Sequence, residues 1–93
     1  MKVQRLEKWL QSYADENHVF VGVNSDYSPC VLAFQDKPKL KYDEDDGYWH
    51  WTRPSWKTKF KWLDNEIPEE LRMVRFDKSF AKRLFRPQTV EVE

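Results

Sequence analysis

The stretch of residues 39–62 places the tightest limits on the fold. At its centre, residues 43–47 (Asp-Glu-Asp-Asp-Gly) are four acidic residues followed by one of only two glycines in the 93-residue chain. Acidic residues favour turns, and glycine enters the left-handed region without steric cost. On both sides of this turn polar and apolar residues alternate, which is typical of strands with two different faces. The pattern predicts a β-hairpin with Gly47 at the end of its loop.

A third strand is predicted after the dipeptide Pro-Ser that follows the hairpin. In residues 56–62 (Trp-Lys-Thr-Lys-Phe-Lys-Trp) the lysines occupy one parity and Trp, Thr, Phe and Trp the other. This period of two indicates a strand. A helix capped by Ser55 is the alternative, because Trp56, Phe60 and Leu63 also recur at helical spacing. We favour the strand, since it places all three lysines on one face.

The N-terminal third predicts one helix followed by two buried strands. Residues 2–16 carry an apolar stripe at steps of three and four, with Asn17 and His18 at the helix exit. The members of the stripe are Val3, Leu6, Trp9, Leu10 and Tyr13. Residues 19–23 and 30–34 are nearly continuous apolar runs, which indicates central strands covered on both faces. Gly22 permits a bulge or a close approach within the first strand.

The C-terminal third predicts helical structure. Pro68 suits the first turn of a short helix, and the acidic residues around it complement the positive end of the helix dipole. Asp77 would interrupt the apolar face of a continuous helix, so we expect it to cap a second helix that runs to Phe85. Pro87 ends that helix. Residues 88–93 are expected to be a frayed tail or a short added strand.

These elements predict one α+β domain over residues 1–93, with 87–93 as a tail. The expected architecture is an N-terminal helix, an antiparallel meander sheet of four to five strands, and a C-terminal helical segment.

Composition argues against several functional classes. Sixteen basic and sixteen acidic residues cancel, whereas a generic polyanion binder carries a clear excess of Lys and Arg. A single cysteine, Cys30, forms no intramolecular disulfide, and its apolar flanks predict a core position. Neither a signal-peptide pattern nor an apolar run of membrane-spanning length is present in the sequence, so we expect a cytoplasmic protein without membrane association.

No catalytic or metal site is predicted. His50 lies near the acidic turn, and a histidine beside a carboxylate can act as a general acid or base. We expect instead an ordinary histidine on a strand face, and we read His18 as a helix-end residue. Two histidines and one cysteine at this spacing match no zinc pattern, and the turn lacks the later ligands of a calcium loop. The expectation is a non-enzyme without a cofactor.

The predicted function is binding of a protein partner through an aromatic and basic surface, as in an adaptor, immunity or inhibitor protein. Tryptophan, tyrosine and arginine dominate interface hot spots, and segregated charge steers association. The alternative is a single-stranded nucleic-acid-binding module, in which lysines neutralise phosphates and tryptophans stack on bases. The predicted contact residues are Trp49, Trp51, Arg53, Lys57, Lys59, Lys61, Arg72 and Arg75.

Overall fold

The computed structural model describes residues 2–25, 29–72, 74 and 78–88, and it begins with helix α1 (Lys2–Asn17). The residues that α1 buries recur at steps of four and are Leu6, Leu10 and Ala14. The helix ends at Asn17, and His18 follows it with a left-handed φ of 55°. The Val19 N–H then donates to the Ala14 carbonyl (3.2 Å), a Schellman-type cap. The predicted helix and its exit are confirmed.

Among the described residues four strands form the main sheet: β1 (Phe20–Ser25), β2 (Pro29–Phe34), β5 (Phe60–Trp62) and β6 (Leu84–Phe85). Their spatial order is β5-β2-β1-β6, and every neighbouring pair is antiparallel. One face packs on α1 and buries Val21, Val23, Val31 and Ala33. The two apolar runs therefore form the central strands, as predicted. Cys30 of β2 is only half-buried, so the core position predicted for it is not reached.

The predicted hairpin is confirmed as a separate two-stranded sheet of β3 (Lys39–Asp43) and β4 (Tyr48–Thr52). The register places Asp43 opposite Tyr48, so four residues form the loop. Gly47 has a φ of 75°, and its N–H donates to the Asp43 carbonyl (2.8 Å). This is the left-handed position for which glycine is suited.

The hairpin covers the second face of the main sheet, and Trp51 is its anchor. The Trp51 side chain is 8% exposed and packs with Leu32 and Phe34 of β2. A Cβ atom at Gly22 would lie only 2.7 Å from Cγ of Trp51, so the close approach anticipated at this glycine is made by the indole ring. The main-chain N–H of Trp51 also donates to Oδ1 of Asn24 (2.7 Å). The main sheet therefore lies between α1 and the hairpin.

The strand prediction for residues 56–62 was too long, and the Ser55-capped helix is also wrong. Residues 55–58 form a turn, in which the Thr58 N–H donates to the Ser55 carbonyl (3.1 Å). The Thr58 side chain is 3% exposed and its hydroxyl donates to Asp36 (3.1 Å), which holds the turn against the fold. Within this segment only Phe60–Trp62 forms a strand. It pairs with β2 and not with β4, the strand before it in sequence, so the simple meander is not observed.

The expected C-terminal helical segment is not found in the described residues. They contain a 3₁₀ turn at Glu69–Leu71 and a four-residue helix α2 (Lys78–Ala81). Leu84–Phe85 instead pairs with β1, because that strand has an open edge whose backbone groups need partners. Asp77 and residues 89–93, on which two predictions were made, lie outside the described residues. Within the described ranges no helix is long and apolar enough to cross a bilayer.

Candidate interaction surface

Strand β5 lies at one edge of the main sheet, and its side chains alternate between the two faces. Phe60 and Trp62 pair with the β2 residues on the hairpin side. Lys61 pairs with Ala33, which packs against α1 on the other side. Lys59 has the same parity as Lys61 and belongs to the same side. The edge therefore offers aromatic rings to one face and lysines to the other.

Large apolar side chains near this edge are exposed to solvent. The exposed fraction is 55% for Trp62, 39% for Phe60 and 79% for Trp56. Arg53 lies beside them, with its guanidinium carbon 5.2 Å from the centroid of the Phe60 ring. We call Arg53, Trp56, Phe60 and Trp62 the aromatic edge.

Phe60 is the centre of the aromatic edge. Its ring stacks on Phe34, with centroids 6.1 Å apart and an interplanar angle of 28°. Trp62 meets it edge-on at 6.5 Å and 73°. Stacked and edge-to-face pairs are the favoured arrangements of aromatic rings. The exposed rings are thus attached to the buried core through Phe34.

The turn at residues 55–58 places Trp56 at the outer end of the surface. Arg53 Nη1 donates to the Trp56 carbonyl (3.4 Å), and Nζ of Lys57 lies 5.4 Å from the centroid of the indole. The lysine puts positive charge beside the exposed indole ring.

A groove of about 420 Å³ separates the aromatic edge from the hairpin. Arg53, Phe60 and Trp62 contribute to its lining, as do the polar side chains of Asp46 and His50. The groove extends the exposed apolar surface inward and carries groups of both charges.

Asp46 and His50 form a pair at the start of β4. Nε2 of His50 lies 2.8 Å from Oδ2 of Asp46, and Oδ1 of Asp46 accepts the Tyr48 N–H (2.8 Å). Desolvation acts to raise the pKa of Asp46. The hydrogen bonds from Tyr48 and His50, with the electrostatic attraction of His50, outweigh it, and the pKa of Asp46 lies below its ordinary value.

Asp43 joins this pair to form a cluster of three groups able to ligate a cation. One ligand atom from each of Asp43, Asp46 and His50 lies within 4.8 Å of the others. Both carboxylates also accept main-chain N–H groups of the loop, since Oδ1 of Asp43 binds the Asp45 N–H (2.8 Å). These bonds are those of aspartates that fix a hairpin turn.

The structure does not bring the eight predicted contact residues onto one surface. Trp51 is buried, and Trp49 shares its parity on β4, with Nζ of Lys82 lying 4.9 Å from its ring. Arg53 belongs to the aromatic edge and Lys57 lies against Trp56.

The remaining predicted contact residues lie elsewhere. Lys59 and Lys61 are on the helix side of the sheet, where Lys61 pairs with Glu66 (2.8 Å). Arg72 donates to two main-chain carbonyls (2.9 and 3.1 Å), so it supports the local fold. Arg75 lies outside the described residues.

Trp56, Phe60 and Trp62 were not among the predicted contact residues. The sequence carries a signal for them, because they occupy the parity opposite the lysines in the segment predicted to be a third strand. Only the lysines of this segment were predicted to lie on the contact surface. Among the described residues β5 has a single neighbouring strand, β2, so Phe60 and Trp62 stay exposed.

No protein-family model matches this chain, and neither the search of curated proteins nor that of solved structures returned a match. The geometry of the surface is therefore the basis for assigning a function.

Proposed function

We propose that this chain is a small non-catalytic interaction protein that binds a protein partner through the aromatic edge. The observation that carries the proposal is the exposure of Trp56, Phe60 and Trp62 beside Arg53. Clustered apolar side chains on a surface mark interaction sites. Tryptophan and arginine are the residue types most enriched where truncation weakens protein complexes.

The arrangement of the rings supports an interface more than a chance exposure. Phe60 contacts Phe34, Trp62 and Arg53, so its ring is held in place before binding. A pre-organised anchor loses little conformational freedom on association. The groove beside it gives a partner side chain a place to enter.

We assign His50 a structural role. It contacts Asp46, whose other oxygen accepts the Tyr48 N–H, and these two contacts fix the tip of the hairpin.

Single-stranded nucleic acid is the second candidate ligand, and a specific observation favours it. Arg53 lies over Phe60 and Lys57 over Trp56, and cations beside exposed rings also suit phosphates and stacked bases. The balanced net charge and the carboxylate of Asp46 in the groove oppose it. We therefore place protein first.

The two candidates are separated by affinity capture with nuclease treatment. A complex isolated with the wild-type chain is expected to survive nuclease and to weaken at least about tenfold in Trp62→Ala, the size of effect typical of a hot spot. Tyr42→Ala is the matched control, because Tyr42 is 48% exposed but lies on β3 and does not line the groove beside the aromatic edge. Equal effects of the two changes would refute the proposal. Oligonucleotide binding that falls steeply with salt would favour the second candidate.

A further inference from the structure

We infer that the partner presents an extended segment, with alternating apolar and acidic residues, that adds a strand to the outer edge of β5. This inference rests on the proposed function, and it specifies the chemistry of the partner. In the described part of the chain no strand pairs with that outer edge, because the sheet order places β5 last. Unpaired strand edges accept extended peptides through main-chain hydrogen bonds.

The hydrogen bonds to β2 show which groups of β5 face outward. The Gln35 N–H donates to the Lys59 carbonyl (3.0 Å), and the Leu63 N–H donates to the Val31 carbonyl (2.8 Å). Main-chain groups alternate in direction along a strand, so residues 59, 61 and 63 turn theirs toward β2. The N–H and C=O groups of Phe60 and Trp62 therefore point away from the sheet, toward an incoming strand.

The alternation of β5 sets the alternation of the segment. Residues of an added strand that lie opposite Phe60 and Trp62 share their face, where apolar side chains would pack against the aromatic edge. Residues that lie opposite Lys59 and Lys61 share the other face, where carboxylates meet lysines. A one-residue shift would reverse both matches, so the pattern also fixes the register.

Charge supports an acidic segment over a neutral one. Lys61 already pairs with Glu66, while Lys59 has no ion-pair partner among the described residues and offers the stronger site for a carboxylate. Arg53 adds a second cation on the aromatic side. The strand is only three residues long, so the segment that pairs with it is also short and the binding of an isolated peptide is weak.

The test uses the full chain and a synthetic peptide, acetyl-Thr-Val-Glu-Val-Glu-Val-amide, titrated while backbone amide shifts are recorded by NMR. The amide signals of Phe60 and Trp62 are expected to shift most. N-methylation of alternate peptide residues gives two matched control peptides. Methylation of the residues whose N–H groups face β5 is expected to lower the affinity at least about tenfold. Methylation of the residues between them is expected to leave the affinity unchanged. Lys59→Glu is expected to weaken the peptide about two- to fivefold, and a peptide with lysine in place of glutamate to restore binding to that variant.

Several outcomes would overturn the inference. They are no shift at millimolar peptide, equal effects of the two N-methylated peptides, or equal binding of a peptide of the same composition with its valines grouped together. Residues 89–93 of this chain, Thr-Val-Glu-Val-Glu, carry the same alternation. Self-association in sedimentation that is lost in Val92→Lys would assign the edge to a second copy and would also overturn a separate partner.

Failure of the inference is distinguishable from failure of the proposed function. If a captured protein partner depends on Trp62 but is not displaced by the Thr-Val-Glu-Val-Glu-Val peptide, the aromatic edge binds protein without strand addition. If neither the captured partner nor the peptide responds to Trp62→Ala, both assignments fail. Circular dichroism of Trp62→Ala confirms that the variant is folded, which its exposed position leads us to expect.

Discussion

Substitution of Gly22 by alanine should loosen the hairpin from the main sheet. An alanine Cβ would lie 2.7 Å from Cγ of Trp51, 2.8 Å from Cδ1 and 3.0 Å from Cβ. Trp51 has little freedom to move aside, because its ring is buried against Leu32 and Phe34. Either the indole or the backbone of β4 must therefore shift.

The expected cost follows from two opposing effects. Overpacking a filled core destabilises proteins by about 1–3 kcal/mol. Alanine also restricts the unfolded chain relative to glycine, which returns about 0.4–1 kcal/mol. We expect a net loss of about 1–2 kcal/mol in the free energy of unfolding, or a fall of roughly 4–16 °C in Tm for a domain of this size.

Urea unfolding followed by circular dichroism measures the loss, and a double-mutant cycle identifies its cause. In a Trp51→Ala background the clashing ring atoms are absent, so Gly22→Ala should cost at least about 1 kcal/mol less than in the wild type. Gly47→Ala is the matched control, because it introduces strain at positive φ in open space, with the nearest atom 4.0 Å away. Its cost should not depend on Trp51.

Two results would refute this reasoning. One is a Gly22→Ala variant as stable as the wild type within about 0.5 kcal/mol, the scatter expected of a neutral surface change. The other is a cost that is the same whether or not the indole is present, since the clash requires the ring.

Three further predictions concern single hydrogen bonds. Asn24→Ala should lower the free energy of unfolding by about 1–3 kcal/mol, because it removes the acceptor of the Trp51 main-chain N–H, whereas Asn24→Asp retains an oxygen there. Urea unfolding of both variants tests this, and equal losses would contradict it. Thr58→Val should cost about 1–2 kcal/mol, since it keeps the buried shape but removes the hydroxyl donor, and Thr58→Ser should recover part of the loss in thermal unfolding. His50→Ala should raise the pKa of Asp46 toward its ordinary value in a carboxyl NMR titration. Because the pKa of Asp46 is lowered in the wild type, its ionised carboxylate stabilises the fold at pH values above the ordinary pKa of aspartate. This contribution is lost as pH falls through the folded-state pKa. An unchanged Asp46 pKa in His50→Ala would contradict the role given to His50.

The elements predicted correctly are those whose signals are local. The stripe of α1, the apolar runs of β1 and β2, and the acidic turn ending in Gly47 each determine their structure from neighbouring residues. The same local signals misled for the C-terminal third. Phe80 and Leu84 are four residues apart, as on one helix face, yet Leu84 pairs with Gly22 of β1. A helical spacing carries no information about an open strand edge sixty residues away.

The candidate surface was located only in part, for a related reason. Trp51 and Trp62 both lie in alternating segments, and the sequence does not distinguish the ring that is buried from the ring that is exposed. The difference arises from Gly22, which admits the Trp51 indole against β1, while Trp62 lies on an edge strand beyond the hairpin. The alternation places Lys59 and Lys61 on the face opposite the rings of Phe60 and Trp62, whereas Lys57 lies in the turn beside Trp56.

The order of strands in the main sheet has a consequence for synthesis of the chain. β1 and β2 are neighbours in sequence and can pair as soon as both leave the ribosome, while their outer edges are covered by β6 and β5 from the second half of the chain. About 50 residues separate the end of β2 from β6, which corresponds to roughly 3–10 s of translation. During that time the outer edge of β1 has no partner, and the outer edge of β2 has none until β5 is made. Unpaired strand edges are the feature that templates aggregation. The period of greatest risk for the nascent chain is thus set by the sequence distance between β2 and β6, not by the stability of the finished fold.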